Sequence, residues 1–191
     1  STSVGVPGPG HRKVVNYMST NNFGGAGDLS ACDAPAPGGF THGHFVAAAA
    51  LGNAEFEDKT FVATDLNGNT WAQRGVAPDG KVAFYDALIT PAIGACGDPM
   101  IGLLDTGMLY DGLGGGSLED AFNNHGARTF ITPFGENVNT YDPFAQEIDD
   151  FLDANREAAL IVPAGNNGQD ANGDAFSDPG SVQKLATSKN A

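Results

Sequence analysis

The sequence predicts an α/β fold: a doubly wound, mainly parallel sheet with helices on both faces. Strand-like segments alternate with helix-like ones along the chain, the order expected of a crossover-connected sheet. Those strand segments are apolar at consecutive positions, as in "KVAFYDAL" (81–88) and "AALIVPA" (158–164), and such runs suit strands buried on both faces. Hydrophobic residues make up 41% of the chain and charged residues 17%, a balance that excludes a disordered polypeptide. The 191 residues suffice for one sizeable core. With no repeat or linker evident, 1–191 is expected to be a single domain.

Each element has its own local cause. "HRKVVNYM" (11–18) reads as a short strand, followed by a loop rich in Gly, Asn, Ala and Pro that runs to Phe40. "GGFTHGHFVAAAALGN" (38–53) then becomes an almost pure alanine helix, with Thr41 suited to its N-cap. "KTFVATDLNGNTWAQ" (59–73) predicts a hairpin that turns at Asn67 and Gly68. The 81–88 strand leads into a long loop ending in "GLGGG". A helix starts at Ser117, with Asp120 placed for a capping box, and ends at Gly126, which suits the left-handed C′ position. "RTFIT" (128–132) is the next strand. Residues 141–156 predict an amphipathic helix with Phe144, Ile148, Phe151 and Leu152 on one face. The 158–164 strand runs directly into "GNNGQDANGD".

Charge narrows the function classes. The formal net charge is −14, from nine basic and twenty-three acidic side chains, so the chain cannot neutralise many phosphates and a nucleic-acid partner is excluded. The acidity suits a soluble surface, cation binding or a saline exterior. No apolar run approaches bilayer length and no signal segment opens the chain, so no membrane association is expected. Cys32 and Cys96 sit in loop contexts, "LSACDAP" and "IGACGDP". They make one disulfide or remain two free thiols; a metal site would need more ligands.

Two positions stand out for chemistry. His42 falls in the first turn of the alanine helix, where the helix dipole disfavours an imidazolium and keeps the ring able to accept a proton. The plainer alternative is a first-turn histidine bonded to a loop carbonyl. Asn166 follows "ALIVP" within "AGNNG", at the C-terminal edge of the expected sheet, where such folds bind ligands. Its amide is placed to donate to a developing oxyanion, although glycine-flanked turn asparagines are common.

Four segments give these positions a shared context: "HGHFVA" (42–47), "GVAPDGKVAFYDAL" (75–88), "GARTFITPFG" (126–135) and "IVPAGNNG" (161–168). In this order and spacing the chain resembles the subtilisin-like serine peptidases, the subtilases, over nearly its whole length, and "PGS…TSKNA" (179–191) is similar to the approach to their next strand. The resemblance implies a secreted, extracellular serine endopeptidase acting on peptide or protein substrates, with His42 as general base and Asn166 in the oxyanion hole. It also implies that Gly114, Gly115 and Gly116 and the segment with Pro133, Phe134 and Gly135 flank the peptide as extended strands. His44 falls where the family has threonine. Phe45, Ala48 and "ITPF" depart from the family's pattern without removing a catalytic group.

The family's aspartate and serine motifs have no counterpart at their expected places in 1–191, so the chain is expected to be a partial catalytic domain, incomplete at both ends and inactive alone. The remainder of the polypeptide, as another chain, is then its partner; the alternative is a pseudopeptidase serving as a binding or assembly module. "LLDTG" (103–107) spells the aspartate motif but follows the histidine. Ser188 lacks the preceding glycine of a nucleophile motif, Ser117 is better explained as a helix cap, and no G-x-S-x-G elbow occurs. No cofactor is required. Calcium is the one ion considered, because many subtilases bind it and Asp170, Asn172, Asp174 and Asp178 alternate in "DANGDAFSD". A solvated acidic loop is the alternative, since Ser181 stands where an EF-hand has its closing glutamate. His11 and His125 are assigned no role.

Overall fold

The computed structural model describes residues 7–19, 42–53, 62–64, 70–72, 74–86, 109–133, 135, 138–166, 168, 170, 172–176, 178 and 180–191. The fold is mixed α/β. Contacts divide the chain into two compact bodies, one of residues 1–17 and 32–84, the other of residues 18–31 and 85–191. Among the described residues no helix is long and apolar enough to cross a membrane.

The first body holds β1 (Val14–Ser19) as far as Tyr17, α1 (His42–Leu51), β2 (Val62–Thr64), β3 (Thr70–Ala72) and β4 (Val82–Asp86) as far as Phe84, Tyr85 belonging to the second body. β1 pairs with β4, and Tyr17 stacks on Phe84 with ring centroids 5.5 Å apart. The expected hairpin is present: β2 and β3 are antiparallel, with Val62 opposite Ala72 and Thr64 opposite Thr70. Its Asn67–Gly68 turn lies outside the described residues, as does the Thr41 cap.

α1 is held by close backbone approach. A helix leaves its last carbonyls without intrahelical donors; here Val76 N–H donates to Ala49 O at 3.0 Å and Ala77 N–H to Ala50 O at 2.8 Å. Gly75 N–H donates to Gly52 O at 2.7 Å. A Cβ at Gly75 would lie 2.6 Å from the Leu51 and Gly52 nitrogens, so only glycine fits there. Gly43 likewise lets α1 meet the Phe84 ring, whose Cζ would be 2.8 Å from an added Cβ. The "GVAP" segment is thus the C-terminal brace of the alanine helix.

The second body contains α2 (Ser117–His125), β5 (Thr129–Ile131), α3 (Pro143–Ala154), β6 (Ala159–Ile161) and a 3-10 turn at Lys184–Thr187. β5 and β6 are parallel, with Phe130 opposite Leu160 and Ile131 opposite Ile161. α3 connects them, as the alternation of elements predicts. Its cap is Asp142, whose carboxylate accepts Ala145 N–H at 3.1 Å and meets Lys184 Nζ at 2.8 Å. Pro143 then supplies the first helical residue, where its missing N–H costs nothing. Gly126 ends α2 at φ 69°, as expected. The start of α2 differs from expectation: Gly116 is the N-cap, and Glu119, not Asp120, reaches back to the Gly116 N–H. Ser117 is therefore the first helical residue rather than the cap.

The predicted apolar face of α3 forms the centre of the core. Ile148 and Phe151 are fully buried and Leu152 nearly so, packed with Leu109, Leu118, Phe130, Leu160 and Leu185. Phe151 meets Tyr110, Phe122 and Phe130 edge to face, with centroids 5.7, 5.9 and 5.2 Å away. Such pairs add about 0.5–1.5 kcal/mol each beyond their area burial. Only one face of the β5–β6 pair is covered, however. Phe130 and Leu160 are buried, whereas Ile131 and Ile161 are 42% and 56% exposed.

Candidate functional site

Two chain segments leave the carboxyl ends of the parallel neighbours β5 and β6, and both close on one side chain. Thr132 N–H donates to Ile161 O at 3.1 Å, extending the ladder by one bond. Beyond it, Gln183 lies between the two segments, 6% exposed. Gln183 N–H donates to Ala164 O at 2.8 Å, and its side-chain amide donates to Pro163 O. On the other side a Cβ at Gly135 would fall 2.6 Å from Gln183 Cδ. Gly165, at φ +115°, brings its backbone against the Gln183 Cβ, 3.3 Å from where its own would be. Both glycines leave space for Gln183, Gly135 at its carboxamide and Gly165 at its Cβ.

Asn166 follows directly and is exposed to solvent. Its carboxamide therefore stands at the rim, where a parallel α/β sheet presents ligand-binding groups. Thr132 is buried at the end of β5, and among the described residues its hydroxyl has no hydrogen-bond partner; a buried polar atom left so is uncommon. Of the residues singled out from sequence, the structure brings Gly135 and the backbone leading to Asn166 to one place. Gln183 was not among them. Its partner Pro163 is 20 residues away, and the only signal for it is the pair of glycines that it requires.

The other candidates fall elsewhere. His42 opens α1 in the first body, as predicted; its imidazole lies outside the described residues, as do the His44 side chain, Phe134, Cys32 and Cys96. Gly114, Gly115 and Gly116 form a turn rather than an extended strand. Gly112 and Gly114 adopt φ 71° and 91°, and the N–H groups of 113–116 point to the Asp111 and Glu119 carboxylates. In the acidic loop, Asp170 accepts N–H donors from Asp174 and Ala175, and Asp174 accepts from Phe176 and the Asn172 amide. Among the described residues no group of three His, Cys, Asp or Glu side chains is placed to hold a metal ion.

A titratable cluster at α2 lies outside the sequence-based candidates. Asp120 accepts from the Tyr85 hydroxyl and from Asn124 Nδ2 at 2.7 Å, and lies 3.5 Å from His125 Nε2. Burial works against ionisation of Asp120, yet the bonds from Tyr85 and Asn124 and the field of His125 together outweigh it and hold the carboxyl below its usual range. It is a structural clasp between residue 85 and α2.

No known protein family, curated protein or solved structure matches this chain.

Proposed function

We propose that the chain is the central part of the catalytic domain of a secreted subtilisin-like serine endopeptidase. The observation that carries this reading is the joining of the "ITPFG" and "IVPAGNNG" segments at the carboxyl ends of β5 and β6, next to exposed Asn166. Peptide substrates bind such an edge between two backbone segments. Four motifs in serial order, from "HGHFVA" to "IVPAGNNG", support the same reading. The finer fold it implies is one doubly wound sheet. There the exposed face bearing Ile131 and Ile161 would acquire its own cover.

In this mechanism a serine hydroxyl from outside residues 1–191 attacks the scissile carbonyl. His42 takes the hydroxyl proton and returns it to the leaving amine, and a carboxylate, also from outside 1–191, orients the ring. The Asn166 amide donates to the oxygen on which negative charge develops, a bond stronger in the transition state than in the ground state. The reaction requires no cofactor.

A serine-directed fluorophosphonate probe, applied to the native full-length protein, tests the reading. Labelling outside residues 1–191 that is lost in His42→Ala is expected. A folded full-length protein that takes no label would overturn it in favour of a pseudopeptidase that binds without cleaving.

A further inference from the structure

The turn at residues 109–116 is held in an unusual way. Seven of its eight successive backbone N–H groups donate to three carboxylates. Leu109 and Tyr110 donate to Glu147 Oε2 at 3.2 Å each. Asp111, Gly114 and Gly116 donate to the Glu119 oxygens at 3.3, 3.2 and 3.5 Å. Leu113 and Gly115 donate to Asp111 Oδ1 at 2.7 and 3.0 Å. The first two bonds are anchored in the core, since Leu109 is buried and Glu147 is nearly so. The other five hold a tip with almost no apolar burial: Leu113 is 90% exposed, and Asp111, Gly112 and Gly114 are exposed as well.

Glycine loses more backbone freedom on ordering than any other residue, and four of the residues at 111–116 are glycine. Packing does not offset that cost here, so the charge-assisted bonds must. These are about twice as strong as neutral ones. We propose that residues 111–116 form an acid-released latch, a turn that opens when the Asp111 carboxylate is protonated, while α2 and α3 stay folded. Short segments with few apolar contacts are the ones that open locally below the free energy of global unfolding.

The sign follows from the groups around it. Among the described residues, those facing the turn are Glu119 from α2, Glu147 and Asp150 from α3, and the Tyr110 phenol. Burial first, and then Glu119, Asp150 and Asp111, raise the phenol, so it stays neutral throughout the acid range. Backbone bonds from Gly115 and Leu113 outweigh burial and lower the Asp111 carboxyl, with a further contribution from the bonded Glu119 side chain. Its contribution is therefore intact above the ordinary aspartate value of about 3.9 and is lost as pH falls through the lower folded value.

Amide hydrogen exchange of the ¹⁵N-labelled full chain from pH 6 to pH 2.5, expressed as protection relative to intrinsic rates, tests this. Protection at Asp111, Leu113, Gly114, Gly115 and Gly116 is expected to fall together by about tenfold or more at a midpoint below about pH 3.9. The Ile148 and Phe151 amides keep theirs. Asp111→Asn, at an exposed position that leaves the core untouched, lowers protection of Leu113 and Gly115 already at pH 6, and Glu119→Gln does the same for Asp111, Gly114 and Gly116. Unchanged protection of the five amides down to pH 2.5, or release only together with Ile148 and Phe151, would overturn the latch. So would an Asp111→Asn chain that protects Leu113 and Gly115 as well as the parent does.

Discussion

The two bodies are held by opposite means. Among the described residues every buried side chain lies in the second, around Phe151 and Ile148. In the first, α1 is secured at Gly75, Gly52 and Gly43 by backbone meeting backbone or ring, with alanines 48 and 49 left exposed. An aromatic core gains its stability from apolar area and shape, whereas a glycine-braced helix depends on the absence of side chains at a few points. The two designs should therefore fail under different substitutions.

The largest effect is expected in the second body. Phe151→Ala removes the ring that three others meet edge to face and should cost about 3–5 kcal/mol, read as a drop in the denaturant midpoint. Gly75→Ala probes the first body. Its methyl group would press on the Leu51 and Gly52 nitrogens, so about 1–3 kcal/mol is expected, with amide protection lost at Val76 and Ala77. The Phe151 ring shifts should stay in place. If Gly75→Ala is neutral, the glycine brace is not what secures α1.

Smaller effects sharpen the comparison within the second body. Asp142→Ala deletes the α3 cap and the partner of Lys184 and should cost about 1 kcal/mol, seen as fraying of the first turn of α3 and a lower melting temperature. Tyr85→Phe removes a donor that helps to hold Asp120 below the usual carboxylate range. The Asp120 carboxyl should then titrate higher by NMR. Because that carboxyl is lowered in the folded chain, its stabilising contribution is full above about pH 3.9 and fades as pH falls through its folded value. In Tyr85→Phe the fading begins at higher pH.

The sequence made legible what depends on periodicity and on single residue types. The i, i+4, i+7, i+8 spacing of Phe144, Ile148, Phe151 and Leu152 found α3, and Gly126 marked the end of α2. The β2–β3 pair and the β5–α3–β6 crossover were also readable. What it concealed depends on partners distant in the chain or on competition between neighbours. Glu119 and Asp120 are adjacent acids, and only the fold decides that Glu119 takes the Gly116 N–H while Asp120 turns to Tyr85. The glycines at 114–116 read as an extended edge because their carboxylate acceptors were not foreseen. Continuous apolar runs suggested strands covered on both sides, yet Ile131 and Ile161 remain open on one face. For the candidate site, Asn166 was visible from its turn; Gln183 was not, because no local pattern links it to Gly135 and Pro163.

Steady-state hydrolysis of fluorogenic peptides by the native full-length protein and two variants addresses the proposed chemistry most directly. His42→Ala should lose about 10⁴-fold or more in kcat, and Asn166→Ala about 10²–10³-fold with KM little changed. Wild-type turnover in both variants, with the label still bound elsewhere, would contradict it.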